Sequence, residues 1–173
     1  MARNRSIVLI TTIAVITVIA ACEKSKTLAG PSAESVFYSS FEGINDLGQW
    51  SGIGLERLRA DIPPDGGELS AYISEGIVEP DAYAEVGPFD ADLQVRIRCW
   101  GKDLFDGGAV TLHPKDDEQT KIEIAVIEKK WTRYDSEQSL LIPKGQKARL
   151  VLDTGKAPKA AMLIDNVEVY RVK

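Results

Sequence analysis

The stretch that decides the fold is LQVRIRCWG, residues 93–101. Apolar residues fill every second position from Leu93 to Cys99, and polar or aromatic residues fill the positions between them. Successive side chains of a β-strand point to opposite faces of its sheet, so this alternation predicts a strand with one buried and one exposed face. The predicted buried face holds Leu93, Val95, Ile97 and Cys99, and the predicted outward stripe holds Gln94, Arg96, Arg98 and Trp100.

Short alternating runs of the same kind recur along the rest of the chain, broken about every eight to twelve residues by glycine, proline or aspartate. This spacing predicts an antiparallel β sandwich or barrel, and no stretch of about twelve residues shows a convincing helical period. The predicted strands are Val36–Phe41, Leu55–Ala60, Leu69–Ser74, Ala82–Val86, Leu93–Gly101, Ala109–His113, Lys121–Ile127, Trp131–Ile142, Lys147–Asp153 and Met162–Val172.

The amino terminus has the order of an export signal. Arg3 and Arg5 precede an uncharged apolar run of about fifteen residues, which is shorter than the roughly twenty that a spanning helix needs. The run ends in IAAC, residues 19–22, which resembles the lipobox of bacterial lipoproteins. The resemblance implies cleavage before Cys22, lipid on its thiol and acylation of its amine, which together give stable membrane attachment. The alternative is a buried amino-terminal strand or helix, which the position at the start of the chain disfavours.

The residues after Cys22 bear on location and domain organisation. In many proteobacterial lipoproteins an aspartate at the next position marks retention in the inner membrane, and this chain has Glu23. The resemblance therefore implies the bacterial cell envelope, with the outer membrane favoured over the inner, and leaves the periplasmic or surface face open. Polar residues up to Ser35 predict a short tether. We accordingly divide the chain into a signal peptide at 1–21, a lipidated cysteine and tether at 22–35, and a β-sandwich domain at 36–173.

Charge and cysteine content exclude several classes of protein. Loss of the signal peptide lowers the basic count from 21 to 19 against 26 acids, a net charge of about −7, which argues against nucleic acid as a partner. Of the two cysteines, Cys22 is assigned to lipid, so no disulfide framework is expected. Cys99 is then predicted to be a small buried hydrophobe.

Several motifs together resemble the galactose-binding-like jelly rolls that include many carbohydrate-binding modules. These are Phe41-Glu42-Gly43 followed by Trp50, and then GGELS at 66–70, RCWGK at 98–102, WTRY at 131–134 and LIDNVEV at 163–169. The resemblance covers about residues 36–172 and implies an all-β jelly-roll β-sandwich. It is specific for fold and weak for function, because one jelly roll serves many roles.

The same resemblance implies a structural calcium ion. Members of that family often hold calcium between a glutamate after the first strand's aromatic residue and an aspartate of the last strand, and the matching residues are Glu42 and Asp165. Calcium takes about six to eight oxygen ligands, so backbone carbonyls or another side chain would have to complete the site. The alternative is that Glu42 caps a turn and Asp165 accepts backbone amides.

Catalytic constellations are sparse in this sequence. A single histidine, His113, removes most hydrolytic triads and, with so few cysteines, removes clustered zinc sites as well. A glycosidase needs only two carboxylates, but the Glu-x-Asp-x-x-Glu strand of jelly-roll glucanases is absent, and residues 116–118 are predicted to be a solvated loop. We therefore expect no catalysis, with a small carbohydrate-active enzyme as an alternative.

Sugar binding requires less, namely an aromatic face and a few placed polar groups. The outward stripe supplies Trp100 with Arg96 and Arg98. Tyr134 is a further candidate contact, and Tyr72 and Tyr83 are possible contacts at the rim. The alternative is that the arginines pair with acidic residues and that Trp100 covers the rim of the sandwich. The sequence thus predicts a membrane-anchored, non-catalytic lipoprotein that binds a glycan or another envelope component, with a structural or adhesion role toward an envelope protein as the rival hypothesis.

Overall fold

A computed structural model describes residues 30–53, 57–74, 82–155 and 159–173. The predicted signal peptide, Cys22 and most of the predicted tether lie outside these ranges. Within them the chain forms one short helix and twelve strands. The helix is α1 (Ile44–Leu47), and the strands are β1 (Ser35–Ser39), β2 (Trp50–Ser51), β3 (Leu58–Arg59), β4 (Ser70–Ser74), β5 (Ala82–Val86), β6 (Leu93–Phe105), β7 (Gly108–Pro114), β8 (Ile122–Val126), β9 (Thr132–Asp135), β10 (Leu140–Ile142), β11 (Ala148–Asp153) and β12 (Ala161–Arg171).

The described strands form two sheets. The seven-stranded sheet has the order β10-β6-β12-β4-β3, with β1 on β12 and β9 on β6, and the five-stranded sheet has the order β2-β5-β11-β7-β8. Every pairing is antiparallel. The predicted antiparallel β sandwich is therefore confirmed. Among the described residues, no helix is both long and apolar enough to cross a bilayer.

The core lies between the two sheets and follows the predicted alternation. Val95, Ile97 and Cys99 of β6 point inward, while the residues between them stay at least partly exposed. Trp50 closes one part of the core with its ring near Phe37 and Phe41, at centroid distances of 5.7 and 5.6 Å. Its indole N–H donates to Ser39 Oγ at 3.0 Å, so this buried polar group is satisfied. Each large apolar side chain so buried contributes about 1.5–3 kcal/mol.

One predicted strand is wrong in its extent. Residues 131–142 were expected to form a single strand, but β9 ends at Asp135 and β10 begins at Leu140. Ser136 causes the break, because its N–H donates to Ile97 O at 2.9 Å while its hydroxyl accepts from Ile97 N at 3.2 Å. The same hydroxyl also lies 3.0 Å from Gln138 O. A serine side chain that bonds to main-chain groups in this way interrupts the regular backbone hydrogen bonds of the strand.

Other boundaries differ by smaller amounts. The predicted strand over 55–60 is reduced to Leu58–Arg59 in the part that is described. The two-residue strand Trp50–Ser51 and the helix Ile44–Leu47 were not predicted, because neither is long enough to show a period. Strand β6 runs four residues beyond its predicted end at Gly101.

The outer face of the seven-stranded sheet is partly covered by other segments. Asp61, in the loop before β4, accepts from Lys102 Nζ at 2.6 Å and from Trp131 Nε1 at 2.8 Å. Ser32, from the predicted tether, donates its N–H and its hydroxyl to Glu168 Oε1 at 3.0 and 2.6 Å. The chain therefore enters the sandwich on this face. The outer face of the five-stranded sheet carries an open groove.

A groove on the five-stranded sheet as the candidate binding site

The groove has a floor of short side chains and taller walls. Cross-strand pairing aligns Tyr83 of β5, Val151 of β11, Thr111 of β7 and Glu123 of β8 in one row across the sheet. This row spans three strand spacings, about 14 Å. The next row along the sheet adds Ala109. The volume of the groove is about 300 Å³. That size is at the lower end of the range found for small-ligand sites.

One wall of the groove is a stack of Arg149 on Tyr83. The guanidinium carbon of Arg149 lies 4.6 Å from the centroid of the Tyr83 ring, a distance at which the cation is attracted to the aromatic face. Arg149 Nε is buried and has no hydrogen-bond partner among the described residues. The stack therefore fixes the position of a guanidinium group that retains donor capacity.

Glu85 lies directly across from Arg149 in the pairing of β5 with β11, yet its carboxylate is taken up by two lysines. Lys115 Nζ and Lys147 Nζ lie 2.6 Å from its two oxygens. These hydrogen bonds lower the pKa of Glu85 to about 2, so the group stays ionised at neutral pH. Arg149 consequently has no carboxylate partner among the described residues.

The opposite wall is polar. Lys121 Nζ pairs with Glu123 Oε2 at 2.8 Å, and both side chains are largely exposed. At the Arg149 end, the buried His113 places Nδ1 2.7 Å from Pro114 O. A carbonyl oxygen only accepts, so Nδ1 carries the proton in this contact. The groove thus offers an aromatic wall at one side and donors and acceptors for hydroxyl groups around it.

A second groove lies on the other side of β8 and is larger, at about 420 Å³. It runs between β8 and the segment 134–138, and it shares Lys121 and Glu123 with the sheet groove. Its aromatic residue is Tyr134, whose hydroxyl accepts from Glu128 N at 3.1 Å and whose ring packs on the core. We favour the groove on the five-stranded sheet, because it combines an aromatic wall with Arg149, which forms no ion pair among the described residues.

The predicted ligand residues of β6 lie on the outer face of the seven-stranded sheet. Arg98 forms an ion pair with Glu168, with Nη2 2.6 Å from Oε2, and lies 4.9 Å from the centroid of the Tyr170 ring. Arg96 Nη2 donates to Glu137 O at 2.8 Å. Trp100 is half-buried beside a cavity of about 30 Å³, which is close to the volume of a single water.

Tyr134 does not join that stripe. It pairs with Cys99 across β6 and β9, so its side chain is on the inner side of the sheet, whereas Arg98 and Trp100 point outward. The four predicted ligand residues therefore do not converge on one surface. A binding role for Arg96, Arg98, Trp100 and Tyr134 stays a prediction.

The two predicted calcium residues converge on a cradle lined by glycine. A Cβ atom built on Gly66 would lie 2.6 Å from Asp165 Oδ2, and one built on Gly67 would lie 2.3 Å from Glu42 Oε1. The carboxyl groups of Glu42 and Asp165 thus flank one Gly-Gly peptide. Glu42 Oε1 also accepts from the N–H groups of Glu68 and Leu69, both at 2.9 Å.

The chemistry of this cradle fits a cation. Asp165 is fully buried, and its Oδ2 has no hydrogen-bond partner among the described residues. Burial raises the pKa of Asp165 to about 8, and the nearby carboxylates of Glu42 and Asp46 act in the same direction. No group of three or more acidic, histidine or cysteine side chains in the described ranges is arranged to hold a metal, so a cation here would need backbone or solvent oxygens as well.

Solved structures similar to this chain are carbohydrate-binding domains or contain the same fold. The CBM22-1 xylan-binding domain of Paenibacillus barcinonensis Xyn10C matches with a TM-score of 0.55 and 19% identity, over 84% of this chain and 99% of that one. The C-terminal family 22 carbohydrate-binding module of Clostridium thermocellum Xyn10B gives 0.51 and 15%, over 82% and 97%. The fold is a jelly-roll β-sandwich. At these identities the likeness concerns the fold alone.

The same jelly roll also occurs within a larger chain. A ruminal GH26 endo-β-1,4-mannanase matches with a TM-score of 0.51 and 13% identity, over 83% of this chain and 27% of that one. No protein-family model matches the sequence. No curated protein sequence matches it either.

Most of the groove of this jelly roll was missed in the sequence. Tyr83 was considered only as a rim contact, and Arg149 and Thr111 were not singled out. The available signal was the outward positions of β7 and β11, where Ala109, Thr111 and Val151 are small. Short outward side chains indicate a groove only when the strands that carry them are known to be neighbours, and the sequence does not give this.

Proposed function

We propose that this domain is a non-catalytic glycan-binding module whose ligand lies in the groove on the five-stranded sheet. The observation that carries the proposal is the row from Tyr83 to Glu123, in which a floor of small side chains separates an aromatic wall from a polar one. A pyranose ring has apolar faces and a hydroxylated edge, so it requires this combination of an aromatic surface and placed polar groups.

The side chains divide the task of recognition. The ring of Tyr83 offers an apolar surface beside the floor, and Arg149 holds that ring through the stack at 4.6 Å. Lys121, Glu123 and Thr111 line the groove and supply donors and acceptors for sugar hydroxyl groups. Two similar domains, one a xylan-binding domain and the other a carbohydrate-binding module, support a glycan as the ligand class.

A glycan array tests this proposal with two matched variants. We expect the purified protein to bind at least one glycan, Tyr83→Ala to weaken that binding by tenfold or more, and Trp100→Ala to leave it unchanged. Both variants remove one aromatic side chain, but from opposite faces of the sandwich. Loss of binding in Trp100→Ala alone would move the site to the predicted stripe. The absence of any glycan ligand would favour the protein-partner hypothesis, and release of reducing sugar would revive the enzyme hypothesis.

We also propose that the cradle of Glu42 and Asp165 holds a divalent cation such as calcium in a structural role. Two observations support it: Oδ2 of Asp165 is buried without a hydrogen-bond partner among the described residues, and Gly66 and Gly67 approach the two carboxyl groups closely. When bound, the cation would supply positive charge between two carboxylates that otherwise repel each other. It would thereby connect the turn after β1, the loop before β4 and strand β12.

Membrane attachment through Cys22 completes the proposed function. We infer it from the export signal and the lipobox-like IAAC at 19–22, and we place the protein in the bacterial cell envelope with the outer membrane favoured. Metabolic labelling with a palmitate analogue tests this assignment. Labelled, membrane-bound protein is expected for the natural sequence, and unlabelled protein for Cys22→Ser. Equal labelling of both would contradict it.

A further inference from the structure

The sheet groove carries one cationic group whose charge is not balanced within the described residues. We propose that the glycan it takes is acidic, with the carboxylate of a uronic acid unit held by Arg149. This inference rests on the proposed glycan-binding function and adds the chemical class of the ligand.

The first argument concerns the ion pairs and hydrogen bonds of the two cationic side chains that line the groove. Lys121 is paired with Glu123 at 2.8 Å. Arg149 has no ion pair among the described residues, and its Nε is buried without a hydrogen-bond partner. Because Nε has almost no accessible surface, a ligand would meet Arg149 at its Nη groups. A carboxylate that docks there would form charge-assisted hydrogen bonds with them.

The second argument is that Arg149 is held ready for such a ligand. Its guanidinium is stacked on Tyr83, which fixes the plane of the group and reduces the conformational entropy lost on binding. A planar fork of N–H donors matches the two oxygens of a carboxylate, whereas a sugar hydroxyl accepts from only one donor at a time. The geometry therefore favours a uronic acid over a neutral hexose at this position.

The third argument is that two of the acidic groups near Arg149 are engaged elsewhere. Glu85 bonds to Lys115 and Lys147, both at 2.6 Å. Asp117, beyond the end of β7, accepts from the N–H groups of Gln119 and Thr120 at 3.0 and 3.2 Å. Glu118, from the same loop as Asp117, also lines the groove at this end and forms no salt bridge among the described residues. The preference for an anion therefore depends on the donors of Arg149 and not on the net charge of this end.

The other end of the groove carries a carboxylate. Asp153 lies there, opposite Ala109 in the pairing of β11 with β7, and it forms no salt bridge within the described ranges. A second acidic sugar at that end would meet like charge. The ligand is therefore a largely neutral glycan with a uronic acid unit at the Arg149 end, and a polymer made only of uronic acids is disfavoured.

The test compares matched oligosaccharides by calorimetric titration of the purified protein. The ligands are oligosaccharides with one uronic acid on several neutral backbones, each measured beside the same molecule with its carboxylate reduced to an alcohol. We expect the acidic form of at least one pair to bind at least tenfold more tightly, as a charge-assisted hydrogen bond implies. We also expect this preference to shrink as the salt concentration rises.

Arg149→Gln is the decisive variant, with Arg133→Gln on the exposed outer part of β9 as its control. Arg149→Gln is expected to lower the affinity for the acidic form to that for the reduced form, while Arg133→Gln changes neither.

Retained preference in Arg149→Gln would overturn the proposal. Binding of reduced or unsubstituted forms alone, or equal binding of both, would also overturn it and leave the proposed glycan function standing. Absence of binding to acidic and neutral glycans alike would overturn both. Thermal unfolding of each variant confirms that it is folded.

Discussion

Arg98 and Glu168 form an ion pair across β6 and β12 in which the carboxylate side chain is only 3% exposed and the guanidinium side chain 24% exposed. The same carboxylate accepts both hydrogen bonds from Ser32. Glu168 therefore joins three separate segments of the chain. Arg98 therefore has a structural role in the domain, whether or not it also contacts a ligand.

Replacing Arg98 by methionine would leave Glu168 buried without its cation. We expect Arg98→Met to lower the free energy of unfolding by about 2–3 kcal/mol, less than the roughly 3–5 kcal/mol of a fully buried pair, because Arg98 is partly solvated. Urea unfolding measures this loss, and Arg133→Met, at an exposed position, is the control with little effect. Glycan binding should be unchanged. Lost binding with intact stability would instead support the predicted β6 stripe.

Filling the floor of the groove should block binding without unfolding the protein. Thr111→Phe puts a ring in the middle of the row, and strand positions accept aromatic residues well. We expect glycan affinity to fall at least tenfold with a midpoint of thermal unfolding close to that of the natural protein. Gln94→Phe, at an exposed position of the other sheet, should retain affinity. Undiminished binding in Thr111→Phe would place the ligand outside the groove.

A bound cation should raise the thermal stability of the protein. We expect calcium to raise the midpoint of unfolding by several degrees and EDTA to lower it, because a ligand that binds only the folded state stabilises it. Asp165→Asn should abolish this response. Asp103→Asn is the matched control, since Asp103 is also buried but pairs with Lys129 at 2.7 Å. It should be less stable yet still respond to calcium. An unchanged midpoint in the natural protein with EDTA would refute the cation.

Gly67 should tolerate no side chain. A Cβ there would lie 2.3 Å from Glu42 Oε1 and push the carboxylate off the backbone amides that it accepts from. We expect Gly67→Ala to cost about 1–3 kcal/mol and to weaken the calcium response. Gly43→Ala is the control, because a Cβ there has nothing within 4 Å. A stability change below about 0.5 kcal/mol is expected for it. Equal effects of the two substitutions would contradict the cradle.

The thiol of Cys99 should be inert in the folded protein. Burial raises its pKa to about 12. The thiolate is the reactive form of cysteine. At pH 8.5, several units below this pKa, only a negligible fraction of Cys99 is thiolate. In a Cys22→Ser background, we expect no alkylation by iodoacetamide at pH 8.5 and full alkylation in guanidinium, measured by intact mass. Stoichiometric labelling under native conditions would contradict burial of the thiol.

Local pattern was sufficient to predict most strands. Ala82–Val86 was predicted with its correct bounds, and the inward face of β6 was predicted residue by residue, because alternation is a property of the strand itself. The break at Ser136 could not be predicted, since it depends on hydrogen bonds to Ile97, which is far away in the chain.

The groove was harder to predict for a related reason. Tyr83 and Arg149 meet because β5 pairs with β11, and nothing in either strand specifies the other as its neighbour. Glu42 and Asp165, by contrast, were paired through the resemblance to galactose-binding-like jelly rolls, and a calcium ion between them stays a prediction. The sequence therefore predicted the framework better than it predicted the open surface.

The position of Ser32 on Glu168 gives the domain a front and a back. The chain arrives on the back, along the outer side of the seven-stranded sheet, and the groove opens on the front. A force applied to the chain at Ser32 would therefore load its hydrogen bonds to Glu168 before it reached the strands of the groove. The proposed ligand would bind on the face opposite to the arriving chain, so such a force would act first on the seven-stranded sheet.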